Sequence, residues 1–65
     1  MKLKTLVKLV MIKGNHPDLI IHHYNRDCDL DIYDYINFKD TEILDWTYIN
    51  GDTLKNENDK IIIYI

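Results

Sequence analysis

Apolar and polar positions alternate at the start of the chain, are closely mixed in its middle and give way to an unbroken apolar run at its end. From Lys2 to Lys13, an extended backbone would place Leu3, Thr5, Val7, Leu9 and Met11 on one face. Lys2, Lys4 and Lys8 would fall on the other, joined by Leu6, Val10 and Ile12. Period-two alternation predicts a half-buried strand. An amphipathic helix competes for this segment, but its valine and isoleucine content favours the strand. Its second half is apolar on both faces, which places it in mid-sheet or beneath a helix. Gly14-Asn15-His16-Pro17-Asp18 reads as a turn, because Gly and Asn accept positive φ and Pro cannot donate to a ladder. Leu19 to Asn25 then forms a second strand, in a hairpin with the first. Leu19, Ile21 and His23 share one of its faces, and Ile20, His22 and Tyr24 the other.

The middle of the chain is ambiguous between helix and strand. A short helix over about 30–37 is favoured, because carboxylates gather at its start, where the positive end of the helix dipole attracts them. Asp29 or Asp31 would cap it and Asp34 would sit in its first turn. Ile32, Tyr35 and Ile36 would turn inward, with Leu30 and Tyr33 beside them. Glu42 to Asn50 alternates Ile43, Asp45, Thr47 and Ile49 with Leu44, Trp46 and Tyr48, and predicts a third strand. Asn50-Gly51 is the strongest hairpin signal in the chain. After a polar loop at 56–59, Lys60 to Ile65 is apolar on both faces and predicts a central strand.

Together these elements predict a small α+β domain of ββαββ order. It has an antiparallel four-stranded sheet, the first and last strands central, and one helix packed on one face. The alternative is a small all-β barrel in which 28–36 is a strand.

Composition fits a single folded domain. The chain has 65 residues, 46% of them apolar, with five tyrosines but only two glycines and one proline. A chain this short buries only about 60% of its unfolded surface, so it depends on a tight core, a second copy or a partner. The single cysteine, Cys28, rules out an internal disulfide and suits a reducing compartment. The basic, apolar start lacks the continuous apolar core and small-residue cleavage site of a signal peptide. No apolar run approaches the roughly 20 residues of a membrane helix. A cytoplasmic protein is expected, in the cytoplasm of a host cell if phage-encoded.

Charge changes the picture more than composition does. The net charge is −3, but Lys2, Lys4, Lys8 and Lys13 stand without acids at the start. Residues 27–45 carry Asp27, Asp29, Asp31, Asp34, Asp40, Glu42 and Asp45 against Lys39 alone. This segregation predicts a strong dipole. Net acidity argues against nucleic acid as a partner, because phosphates call for clustered Lys and Arg.

Specific chemistries fail position by position. Asp27-Cys28-Asp29-Leu30-Asp31 opens like a calcium loop, but the required Gly is Ile32 and the bidentate Glu is Phe38. A zinc site from His16, His22, His23 and Cys28 is opposed by strand alternation, which sends His22 and His23 to opposite faces. Aspartates on both sides of Cys28 set it in a negative field that disfavours a nucleophile. The chain has no glycine-rich phosphate loop, and it is short for an enclosed pocket. No enzyme, metal or cofactor is expected.

What remains is binding. A small interaction protein is expected, docking a protein partner through Asp27, Asp29, Asp31, Tyr33, Asp34, Asp40 and Glu42. Closely spaced carboxylates can stand in for nucleic-acid phosphates on a basic partner. The small size and the abundance of Ile, Asn, Lys, Asp and Tyr suit an accessory or inhibitor product of a phage or mobile element, with an anti-defence role in view. Two alternatives are a homodimeric module pairing through the Lys60–Ile65 strand, and a weak nucleic-acid binder using Lys2, Lys4, Lys8 and Lys13.

Overall fold

The computed structural model describes residues 1–12 and 16–65, so the Gly14-Asn15 half of the expected first turn lies outside the described residues. The order of elements is α1 (Leu3–Ile12), β1 (Asp18–His23), β2 (Arg26–Asp29), α2 (Ile32–Phe38), β3 (Asp45–Ile49), a short 3-10 turn (Thr53–Lys55) and β4 (Lys60–Tyr64). The strands form one mixed sheet in the order β2-β1-β4-β3. β1 pairs parallel with β4, and the two outer pairs are antiparallel. This is a small α+β fold. The expected ββαββ order, the fully antiparallel sheet and the alternative barrel are all corrected, because the first element is a helix and the sheet stays open.

The first correction has a clear physical origin. Leu3, Leu6, Val7 and Val10 recur at three- and four-residue spacing, the stripe of an amphipathic helix. Leu3 and Leu6 are buried, and Val7 and Val10 pack against the same cluster. Lys4, Thr5, Lys8, Leu9 and Met11 face outward. The same sequence satisfies a strand pattern, and here tertiary contacts override the β-propensity of its valines. The leading N–H groups of α1 are satisfied from elsewhere in the chain. Leu3 N–H donates to the Thr41 carbonyl at 3.0 Å and Lys4 N–H to the Lys39 carbonyl at 2.9 Å. Lys39 is the C-cap of α2, so the positive end of one helix meets the negative end of the other.

The core sits between the helices and one face of the sheet. Leu3, Leu6, Ile21, Ile61 and Ile63 are buried, with Leu19, Leu30, Phe38, Ile43 and Ile65 packed around them. The register pairs Ile21 with Ile63 and Leu19 with Ile61 across the central parallel ladder. As expected, the last strand is central, and its two-sided apolar sequence follows from that position. Ile61 and Ile63 face the helices, while Ile62 and Tyr64 point to the open face.

β1 and β2 form a hairpin whose register joins His23 to Arg26. Its two connecting residues, Tyr24 and Asn25, have φ of 51° and 59°. Positive φ at both positions is the signature of the type I′ turn, whose twist matches that of the strands it joins. Asn tolerates this conformation, but a tyrosine there is strained. The hairpin expected at Asn50-Gly51 is instead a longer connection over 50–59, although β3 and β4 do pair antiparallel. Gly51 is required there for close approach. A Cβ at this position would lie 2.2 Å from the Glu57 carbonyl oxygen. Asp59 locks the connection: its carboxylate accepts from the Gly51 N–H at 2.6 Å and from the Tyr48 hydroxyl.

α2 is rotated from the expected orientation. Asp31 is its N-cap, accepting from the Asp34 N–H at 2.8 Å. However, Asp34, Tyr35 and Phe38 form the half-buried side, while Ile32 (68% exposed) and Ile36 (59%) face solvent. Leu30 fixes this rotation from one end, where its N–H donates to the Leu19 carbonyl. Phe38 fixes it from the other, with its ring 5.3 Å from that of His23.

Two stability predictions follow from this burial pattern. Leu3→Ala should cost about 2–5 kcal/mol, the range for a fully buried leucine, and leave much of the protein unfolded. Ile36→Ala, on the outer side of α2, should change stability by less than about 0.5 kcal/mol. Urea titrations of the two variants would separate this burial pattern from one with Ile36 inward. Tyr24→Asn should raise stability by about 1 kcal/mol, because it relieves left-handed strain at a side chain that is 85% exposed. Thermal melts would show the rise as an increased Tm.

Candidate interaction surface

The acidic stretch is divided by the fold into two groups of different chemistry. The first follows the hairpin turn. β2 is an edge strand, exposed along its whole length, and Asp27 and Asp29 lie on the same face of it. That face is the one the helices leave open. Asp27 bonds to His22 (Nδ1 to Oδ1, 2.5 Å), its direct neighbour across the ladder. The His22 ring in turn lies 5.1 Å from that of Tyr64. Two residues beyond β2, Asp31 caps α2, and Asp34 enters its first turn, half-buried.

Beyond the Asp31 cap, α2 turns its apolar outer side to solvent. Tyr33 is 74% exposed. Ile32 and Ile36 are one turn apart, and Tyr33 and Ile36 are three residues apart, so all three lie on adjoining positions of the helix surface. Tyr24 projects from the neighbouring turn. Expected as buried, Ile32 and Ile36 are therefore surface residues of this site. Their signal in the sequence is that Ile32, Tyr33, Tyr35, Ile36 and Phe38 make five of the seven helix residues apolar, too many for one inward stripe.

The second group is neutralised within the chain. Asp40 pairs with Lys4 at 2.8 Å, and Glu42 pairs with the α-amino group of Met1 at 2.7 Å. The Lys4 hydrogen bond holds the Asp40 carboxyl below the usual carboxylate range, and the reciprocal bond raises the Lys4 ammonium. The α-amino hydrogen bond lowers Glu42 in the same way. The dipole expected from the sequence is thus partly cancelled in space, since the basic start of the chain lies against residues 39–42. Asp40 and Glu42 are removed from the free acidic surface, which contracts to Asp27, Asp29, Asp31, Tyr33 and Asp34.

The remaining candidates resolve similarly. His22 and His23 take opposite faces of β1. His23 points to the helix side, with Nδ1 3.3 Å from the Ile65 carbonyl. Among the described residues, no group of three His, Cys, Asp or Glu side chains is placed to hold a metal. Of the lysines expected to act together, Lys4 and Lys8 are on α1, one turn apart, with Lys4 engaged by Asp40; Lys2 precedes the helix, and Lys13 lies outside the described residues. Trp46 lies on the edge strand β3 and is 45% exposed. The Lys60–Ile65 strand has β1 on one side and β3 on the other, so its ladder positions are filled and a copy cannot add to it. No helix of the described residues is long and apolar enough to cross a membrane.

The Lys4–Asp40 pair sets a pH dependence. Asp40 titrates lower in the folded chain than in the unfolded one, so its contribution is present above the ordinary carboxylate range and is lost as pH falls through its lowered value. Lys4 titrates higher when folded, so its contribution is present below its ordinary pKa of 10.5 and is lost as pH rises through the raised value. Asp40→Asn should flatten both limbs of the curve of urea midpoint against pH, with the acid change falling below about pH 4.

The chain matches no family model, and no curated protein and no solved structure matches it.

Proposed function

We propose that this protein is a small non-catalytic interaction module that docks a basic protein partner through β2 and the outer side of α2. The observation that carries the reading is the exposure of Ile32, Tyr33 and Ile36 on a helix whose cap and approach are carboxylates. Exposed apolar side chains within a polar rim have the composition of a binding patch. Tyrosine is among the residues that anchor such patches. Asp31 at the helix cap and Asp27 and Asp29 on the preceding strand add negative charge on the approach to the helix, which steers a basic partner and aligns it. In this arrangement the carboxylates occupy the partner's sites for nucleic-acid phosphates, and the apolar trio supplies the contact that phosphates lack. An accessory or inhibitory role against a nucleic-acid-handling protein, of the kind mobile elements encode, is the biological form of this proposal.

The two components of the surface predict separable effects. With a basic DNA-binding protein as the probe, joint replacement of Asp27, Asp29, Asp31 and Asp34 by Asn should weaken binding and reduce its dependence on salt concentration. Asn retains the capping function at position 31, so α2 should persist. Tyr33→Ala with Ile36→Ala should weaken binding about ten-fold and leave the salt slope unchanged. Isothermal titration at several ionic strengths would measure both effects. An unchanged affinity and an unchanged slope in the Asn variant would remove the mimicry reading.

A further inference from the structure

The two edges of the sheet are built differently. β2 closes one side with Arg26, Asp27 and Asp29 among its four residues, a charge density that discourages a further strand. β3 closes the other with Asp45-Trp46-Thr47-Tyr48-Ile49, which carries one charge at its first position and none after it. All five residues are exposed. Among the described residues, no strand pairs with the outer edge of β3. The segment is rich in aromatic and β-branched residues, so it has the composition of a strand with a neighbour on each side.

We propose that the outer edge of β3 is a self-association surface, on which a second copy of this chain adds its own β3 antiparallel about a two-fold axis at Thr47. The sequence of the strand is self-complementary in that register. Thr47 stands opposite Thr47 of the second copy, and Trp46 stands opposite Tyr48 of the second copy on the helix side of the sheet. Thr–Thr and aromatic cross-strand pairs both stabilise antiparallel ladders. Asp45 stands opposite Ile49 of the second copy, so no charge faces a like charge. The two Asp45 carboxylates are separated by four residues along the strands, about 14 Å at about 3.4 Å per residue. That exceeds the Debye length of roughly 8 Å at physiological ionic strength.

The surrounding charges favour the same register. Lys60 is the ladder neighbour of Ile49. In the dimer, Asp45 of each copy therefore lies in one cross-strand row with Ile49 and Lys60 of the other, on the open face. In contrast, the open face carries Asp18, Asp27, Asp29 and Asp45 against Lys60, a net negative surface that repels the same face of a second copy. The β3 edge is where a chain of net charge −3 can meet itself with least repulsion. Beside that edge, a groove of about 150 Å³ runs between α1 and β3, lined by Leu6, Leu9, Val10, Trp46 and Tyr48. The aromatic side chains of the second copy extend the apolar surface of this groove. The resulting sheet is continuous through eight strands, with the acidic edge β2 at each end and remote from the joint.

The test uses the axis residue. In a concentration series by sedimentation equilibrium, the wild-type mass should rise from 7.8 kDa towards twice that value. Thr47→Lys and Thr47→Glu each place like charges at the two-fold axis, and each should raise the dimer dissociation constant about ten-fold or more. An equimolar mixture of the two variants should restore dimerisation, because Lys then faces Glu. Hydrogen exchange on the wild type gives a readout independent of the variants. Amides within 45–49 should gain protection with concentration, and those of 26–29 should not. A wild-type mass fixed at 7.8 kDa to millimolar concentration would overturn the proposal, as would dimerisation that both folded variants retain undiminished.

Discussion

The parallel ladder between β1 and β4 is the interaction on which the rest of the molecule depends. It places Leu19-Ile20-Ile21 beside Ile61-Ile62-Ile63, two apolar runs with residues 22–60 between them. Parallel neighbours need a crossover connection, and here the connection contains β2, α2 and β3. Each of these elements is then attached to the central pair: β2 by a tight hairpin to β1, β3 by an antiparallel ladder to β4, and α2 through Phe38. The helices cover one face of the pair, and burial of Ile21, Ile61 and Ile63 against Leu3 and Leu6 is the main apolar stabilisation available to so short a chain. The other face carries the half-buried Ile20, Ile62, His22 and Tyr64 and the exposed Asp18 and Lys60.

A second constraint operates at the helix ends. Neither helix is long enough to be stable alone in water. α1 draws its N-terminal hydrogen-bond acceptors from the chain that leaves α2, and Lys4 adds an ion pair to Asp40 at the same junction. The acidic stretch was legible in the sequence as one block of charge, but this junction divides it. One end of the block holds the helices together, while the other is left with nothing inside the chain to neutralise most of its carboxylates. Electrostatic function therefore has to be argued from the second part alone.

Legibility varied with how local the determining interaction is. The Asp31 cap, the strand positions of β1, β3 and β4, and the central place of β4 could be read from short-range pattern, because capping and two-sided hydrophobicity are properties of a few consecutive residues. α1 could not, because Leu3 to Ile12 satisfies both periods and the choice is made by Ile61 and Ile63 at the far end of the chain. β2 was missed because Tyr24-Asn25 is an unusual pair for a type I′ turn, and because Arg-Asp-Cys-Asp has little β-propensity. Its strand geometry is imposed by β1. The face of α2 was misassigned for the same kind of reason. Hydrophobic residues were assumed to point inward, yet Leu30 and Phe38 fix the rotation of the helix and leave Ile32 and Ile36 outside. The surface residues that the sequence pattern places inside are thus the apolar Ile32 and Ile36.

The interior position of β4 has a consequence for synthesis. The strand that both β1 and β3 require is the last of the elements to leave the ribosome. Until it emerges, the nascent chain can close the β1–β2 hairpin and start the helices, but β1 and β3 have no shared neighbour and Leu3 and Leu6 have no floor to cover. A chain interrupted anywhere before Lys60 loses the middle of its sheet, and what remains is two unconnected halves with their apolar surfaces open to other chains.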